Sequence, residues 1–402
     1  MNKVTVVLIC TIFHSISNYG SVLESTRDYW SMQRKGANFF NKVPGVDWFV
    51  KAKEFGIEFA RLAPDKWHSV ERDFLVGDAD DFKEIPQKDY IVLKNVLDQA
   101  ADSGMSIVIT VLSLPGSRWK QNNGDKDDLR LWQQENYKNQ AISFWKQLAL
   151  LLKNHPAIVG YNLLNEPHPE IIECGGDYRE VDFDGWYSSI KGSLEDLNLF
   201  YHDVIKAIRE VDTDTPIILD TGMYATPWAL RSITPVADEN VIYSFHMYEP
   251  YIYTTARINK GRFTYPGPMP LYLKDSEESN GRALSSVVWD KGEIERFFKP
   301  VVQWQRDHKI PSSRILVGEF GCDRMAKGAE QYLSDLIDFF NRHSWHWAFY
   351  SFREDCWGGM DYQLGYSPYS AEYWDSLEKG ECLDRFRKDN PLSDMLKAEL
   401  KK

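Results

Sequence analysis

Short apolar runs alternate with longer amphipathic stretches along most of this chain. The runs cover Lys35–Phe40, Ile57–Ala63, Ser106–Leu112, Ile158–Leu164, Pro216–Asp220, Val241–His246, Ile315–Glu319 and Trp347–Phe352. Several are almost continuously apolar, as expected of parallel strands buried on both faces. GVDWFVKAKEFG, DYIVLKNVLDQAADSG and NYKNQAISFWKQLALLLKNHP lie between them and repeat apolar residues at helical spacing. The last two close at Gly104 and before Pro156, both helix-stopping signals. LNLFYHDVIKAIREVD, EIERFFKPVVQWQRDHK and EQYLSDLIDFFNRH show the same period.

Strand and helix in regular alternation predict an α/β chain folded as a (β/α)8 TIM barrel. A doubly wound open sheet is the alternative. Its nucleotide-binding forms want a glycine-rich turn after the first strand, and NFFNKVPGVDW has none. Connections that follow strands are long: Ser113–Glu135, Pro167–Gly192, Met247–Lys291 and Arg353–Asn390. Those that precede strands, such as NHPA and VDTDTP, are short. In a barrel the long set lies on the C-terminal face, where binding sites are built. No Pro/Ser/Gly-rich linker and no low-complexity tract divides the chain, so residues 21–402 are expected to be one catalytic domain.

Composition narrows the partners. With 43% hydrophobic residues in 402 the chain can bury a large core, which excludes disorder,. An aromatic content of 14% suits flat apolar ligands as well as packing. A net charge of −12 without basic runs argues against nucleic acid or an anionic membrane as partner,.

The first 20 residues carry Lys3, an apolar run from Val4 to Phe13 and then small residues at Ser15, Ser17 and Gly20. That is the pattern of a secretory signal peptide, too short for a permanent membrane anchor. It implies a secreted or periplasmic protein; a buried N-terminal strand is the alternative. Its removal would leave Cys174, Cys322, Cys356 and Cys382, which allow three pairings into two bridges, or free thiols,. No CxxC and no Cys/His ligand spacing suggests a metal, and no cofactor is expected,. A monomer is expected.

The ends of the strands hold the chemistry. Strand two ends in Arg61, strand four runs through IVGYNLLNEP into Asn165 and Glu166, strand six ends in His246 with Tyr248 beyond, and strand seven ends in Glu319. Two glutamates from different strands, opening into one pocket beside an Arg and a Tyr, suit glycoside hydrolysis. One carboxyl must stay protonated to donate to the leaving oxygen. The other must stay ionised to attack the anomeric carbon or activate water. Arg61 and Tyr248 are expected to favour the ionised form of the second, and desolvation to raise the first.

YNLLNEP, ILVGEFG, FARLAP and YSFHMYEP, in this order on strands four, seven, two and six, resemble glycoside hydrolase family 5, the cellulase-type barrels. The similarity runs from about Gly36 to Gly365. It implies that Glu166 is the general acid/base and Glu319 the nucleophile of a retaining enzyme. It further implies that Asn165 binds the sugar 2-hydroxyl, that Arg61 and Tyr248 hold Glu319, and that His246 lines the same subsite. Retention predicts carboxyl groups roughly 5–5.5 Å apart. Two positions depart from the family pattern. Leu112 in VLSLPGSRW stands where the family has His, and Tyr350 stands where it has the Trp beneath the cleaved sugar, with Trp357 nearby. Tyr350 or Trp357 could form the stacking floor. Trp67, Trp119, Tyr251 and Tyr265 are further aromatic candidates.

Rival chemistries fare worse. Asp102-Ser103-Gly104 and Asp220-Thr221-Gly222 match the aspartic-protease signature, but a barrel puts one before strand three and the other at the end of strand five, on opposite faces. Neither a G-x-S-x-G elbow nor an H-E-x-x-H occurs,. A sugar-binding barrel without catalysis is the non-enzyme alternative, and it would be expected to have lost a glutamate or the Arg. Family resemblance leaves the substrate open among β-1,4-glucans, β-mannans, β-1,3-glucans and glycosylceramide-type glycolipids.

Overall fold

The computed structural model describes residues 26–174, 182–270, 286–355, 357–379, 381 and 386–402. The segment read as a signal peptide, Cys356, Cys382 and the side chain of Cys174 lie outside the described residues. Cys322 is buried and carries a free thiol.

The first six strands are β1 (Lys35–Phe39), β2 (Phe59–Leu62), β3 (Ser106–Thr110), β4 (Ile158–Asn162), β5 (Ile217–Asp220) and β6 (Val241–Met247). A small antiparallel hairpin follows, β7 (Gly267–Pro270) with β8 (Ser286–Trp289), and then β9 (Ile315–Phe320) and β10 (His346–Phe349). The strands other than the hairpin are parallel and close into one barrel in the ring order β1-β2-β3-β4-β5-β6-β9-β10. Each expected strand is therefore present; β1 to β4 and β10 stop one to three residues before the expected C-terminal ends, whereas β6 and β9 run one residue further. The hairpin is not anticipated by the sequence, because two prolines in its first strand, Pro268 and Pro270, speak against a strand,.

Helices cover the outside, including Val46–Phe55, Gln87–Asp102, Glu135–Leu152, Leu197–Arg209 and Ala329–Arg342. The stretch EIERFFKPVVQWQRDHK, expected as one helix, is two: Lys291–Phe297 and Lys299–Asp307. Pro300 explains the break, since it has no N–H and its ring would collide with the preceding turn,.

Alternation along the strands sets the barrel interior. Phe59, Val108, Val159, Ile218, Ile242, Leu316 and Ala348 pack together with Trp30 as an apolar plug, and Trp30 Nε1 donates to the Val159 carbonyl at 2.7 Å. Two residues further along, the same inward rows turn polar: Arg61 after Phe59, Thr110 after Val108, Asp220 after Ile218, Ser244 after Ile242. The apolar layer seals the floor and the polar layer above it carries the site. Period-two alternation thus leads directly to the chemistry.

Candidate active site

Arg61 organises the polar layer. Its side chain is fully buried, so each guanidinium donor needs an acceptor,. Nε donates to Asn162 Oδ1 at 2.8 Å; Nη1 donates to Asn38 Oδ1 at 3.1 Å and Glu319 Oε1 at 2.7 Å. Nη2 donates to Asn165 Oδ1 at 2.8 Å and Asp220 Oδ2 at 3.2 Å. One side chain on β2 thereby ties together residues from β1, β4, β5 and β9.

The two glutamates meet where their strands end. The Tyr248 hydroxyl donates to Glu319 Oε2 at 2.7 Å, so both oxygens of that carboxyl are held. His246 Nδ1 stands 2.9 Å from Glu166 Oε1 and 3.9 Å from Glu319 Oε1, and its Nε2 is 3.4 Å from Asp220 Oδ2. An oxygen of Glu166, an oxygen of Glu319 and a His246 nitrogen all lie within 4.8 Å of one another. The Glu319 side chain is 6% exposed and that of Glu166 is 30% exposed. Glu166 sits in the left-handed region, with φ of 51°, an uncommon conformation for a residue with a side chain. Gly318 is required by crowding: a Cβ there would come within 2.7 Å of Ser244 Oγ and 3.1 Å of His246 Nε2.

Charge follows from this packing. Burial pulls the His246 imidazole down, but the negative charges of Glu319 and Asp220 and the hydrogen bonds to Asp220 and Glu166 override it and push it up to about 10. His246 is therefore a cation with both ring nitrogens able to donate. Burial also works against Asp220, yet His246 and Arg61 hold its carboxyl down at about 2. At Glu319 burial is the largest influence and pushes the carboxyl above its usual range, against His246, Arg61 and the Tyr248 hydroxyl. This corrects the expectation that Arg61 and Tyr248 would hold Glu319 low: a carboxyl so completely desolvated gains less from them than it loses in hydration.

The aromatic surface is narrower than the sequence suggested. Tyr350 is half-buried beside Phe40 (centroids 5.6 Å apart) and Trp357 (5.8 Å). Its hydroxyl donates to Glu354 Oε2 at 2.6 Å, and Lys66 Nζ reaches the other Glu354 oxygen at 3.0 Å. Leu112, at the position where a His was expected, packs with Phe40 and Ala63 against Trp119 and Tyr350. An apolar wall thus replaces a hydrogen-bonding one. The loop that carries it is anchored by the Asp65 carboxyl, pushed up to about 7 by burial, which accepts the N–H groups of Leu112 and Ser113. Trp67 is not on the cleft floor: it is 4% exposed, edge-on to Phe74, with Nε1 donating to the Asn41 carbonyl. Tyr265 is likewise buried, its hydroxyl donating to Asp335. Tyr251 is exposed.

Asn38, Asn162 and Asp220 are functional-site residues that the sequence reading missed. Asp220 enters that reading only as half of a protease pair, although it ends a strand just as Glu319 does. Applying the strand-end rule to β5 would have found it. Asp102 lies at the end of the helix Gln87–Asp102, away from this polar layer.

Fold and site together define a (β/α)8 enzyme of the glycoside hydrolase class. The family profile of cellulases, glycosyl hydrolase family 5, matches residues 30–355, and the chain belongs to that family. Endoglucanase C of Acetivibrio thermocellus is 22% identical over 304 residues, spanning 71% of this chain and 78% of its own length. A beta-xylosidase of Phanerodontia chrysosporium is 24% identical over 331 residues, 77% of this chain and 60% of that protein. Among solved structures, Thermotoga maritima Cel5A in complex with cellobiose superposes with a TM-score of 0.60 at 18% identity, covering 92% of this chain and 99% of that one.

Proposed function

We propose that this protein is a retaining, cellulase-like β-glycosidase acting on β-linked glucans, with Glu166 as acid/base and Glu319 as nucleophile. The observation that carries the reading is their spacing. An oxygen of one carboxyl lies within 4.8 Å of an oxygen of the other; nearest oxygens this close favour the retaining separation of roughly 5–5.5 Å between carboxyl groups over the roughly 6.5–9.5 Å by which an inverting pair admits a water. In the first step Glu166 gives its proton to the glycosidic oxygen while the Glu319 carboxylate attacks the anomeric carbon. The bond to the leaving group breaks and a glycosyl ester forms on Glu319. In the second step Glu166, now a carboxylate, takes a proton from water, the water oxygen attacks the same carbon, and Glu319 is released.

The neighbours fit these roles. Cationic His246 stabilises Glu166 each time it becomes a carboxylate, at 2.9 Å. Arg61 and Tyr248 hold Glu319 in line. Asn165 gives its oxygen to Arg61, which leaves the NH2 group as donor for the 2-hydroxyl. Tyr350 and Trp357 form the floor of the cleaved sugar's subsite. Glucan as substrate is supported by the endoglucanases among the relatives; β-mannan, β-1,3-glucan and glycosylceramide are the competing substrates of the same frame. Residues 1–20 are read as an export signal that takes the enzyme to an extracytoplasmic polysaccharide.

A product profile over cello-, manno- and laminari-oligosaccharides and glycosylceramide, with the first-formed anomer followed by proton NMR, tests this. The reading expects fastest turnover on the cello-series and the β-anomer first. An α-anomer appearing first would overturn retention.

A further inference from the structure

A buried cation is costly unless a counter-charge or enough acceptors come with it. Arg324, in the loop after β9, is 3% exposed and pairs with no carboxylate among the described residues. Its main partners are backbone carbonyls of the loop after β10. Nε donates to Gly358 at 2.9 Å, and Nη1 donates to Gly365 and Ser367, each at 2.6 Å. The Met325 sulfur lies 3.3 Å from the same Nη1. Nη2 completes no hydrogen bond among the described residues, so two of the five guanidinium donors stay unused,.

The adjacent Asp323 does not answer this charge. Its carboxyl accepts the Met325 N–H at 2.8 Å and the Tyr369 hydroxyl at 3.0 Å. Burial also pushes it above the usual carboxylate range. Arg324 instead forms part of the wall of a cavity of about 390 Å³. None of the residues that hold the two glutamates lines that cavity. Phe320, Gly321 and Cys322, all buried, separate Glu319 from Asp323 and Arg324 along the chain. The cavity thus stands apart from the catalytic layer.

Rings and cations make its wall. Tyr369 and Tyr373 stack with centroids 5.0 Å apart and planes 30° from parallel, and Phe386 is 84% exposed beside them. The Arg324 guanidinium lies 4.7 Å over the Tyr369 ring, a cation–π contact that fixes both groups,. Lys388 is exposed, and its ammonium forms no ion pair among the described residues. Glu372 is the acid in this wall, so two cations face one carboxylate there. In a chain of net charge −12 that local excess is unusual.

We propose that this cavity binds a uronic acid, a pyranose that carries a carboxylate, at a site separate from the cleft. The carboxylate meets Nη2 of Arg324 and the Lys388 ammonium in charge-assisted contacts. The apolar face of the sugar packs on the rings. A neutral sugar would leave the buried guanidinium without a counter-charge. A bare inorganic anion would make no use of the aromatic half of the wall.

The test titrates D-glucuronate, D-glucose and inorganic phosphate onto the full chain and follows binding by ligand-observed NMR. Glucuronate should bind saturably, with glucose and phosphate each weaker by roughly tenfold or more. Arg324→Gln should abolish glucuronate binding. Should that variant fail to fold, Lys388→Glu, a change at an exposed side chain, carries the test. It should weaken glucuronate by roughly tenfold and leave hydrolysis unchanged. In Glu319→Ala, which cannot turn over, excess cellotetraose should not displace glucuronate. Absence of saturable binding, or glucose or phosphate binding as tightly as glucuronate, would overturn the inference. Displacement by cellotetraose, or full affinity in Lys388→Glu, would overturn it equally.

Discussion

Asp220 and Arg61 form an ion pair at 3.2 Å from which solvent is excluded, both side chains being 0% exposed. The pair is shared, since Asp220 also lies 3.4 Å from His246 Nε2 and from the N–H of Glu166. Removing the carboxylate would leave two buried cations, Arg61 and His246, without the counter-charge they share. Asp220→Ala should therefore cost about 3–5 kcal/mol of stability, the range for breaking a buried pair on one side. Urea denaturation measures this. A change under about 1 kcal/mol, the size expected of a surface pair, would mean that Asp220 does not neutralise this site.

Tyr248 supplies the pH test of the nucleophile. Its hydroxyl favours the ionised form of Glu319, a carboxyl that burial already pushes up. Activity needs that ionised form, so rate rises as pH climbs through the Glu319 pKa. Tyr248→Phe removes a downward pull, and the acidic limb of the kcat/KM profile should move to higher pH. The maximum should fall roughly tenfold or more, as for loss of one preorganised donor. A limb that stays in place, or moves to lower pH, would contradict the contact's role.

Glu170 gives a stability signature. Its pKa is about 8 in the folded protein against an ordinary 4.5. Between those values the unfolded chain has released this proton while the folded one keeps it, so stability falls as pH rises through the window. Glu170→Gln cannot ionise and should flatten that fall. Compared with wild type it should gain about 1–3 kcal/mol at pH 8, less the cost of a buried amide, and show little gain near pH 4.5. Chemical denaturation at the two pH values decides it; a gain independent of pH would show that ionisation of Glu170 is not its cause.

Strand positions and strand-end residues were legible because both follow from local rules. Parallel strands buried on both faces leave continuous apolar runs, and the long connections mark which barrel end carries the site. Arg61, Asn165, Glu166, His246, Tyr248 and Glu319 all come together at that end. What escaped was set by contacts between distant strands. Whether Trp67 or Tyr350 borders the cleft depends on how loops after β2 and β10 pack, which no periodicity encodes. The upward shift of Glu319 depends on how completely the barrel closes over it. Asn38 and Asn162 are ordinary polar residues until Arg61 is placed between them.

The division of labour between the glutamates is tested most directly by azide and a dinitrophenyl β-glycoside, whose leaving group needs no proton donor. In Glu166→Ala the glycosyl-enzyme should still form on Glu319, and azide should replace the base-activated water. Turnover should recover and the product should be the β-glycosyl azide. In Glu319→Ala no glycosyl-enzyme can form, and azide entering from the vacated side should give the α-glycosyl azide. Opposite anomers from the two variants are the predicted result. The same anomer from both, or the reverse assignment, would contradict Glu166 as acid/base and Glu319 as nucleophile.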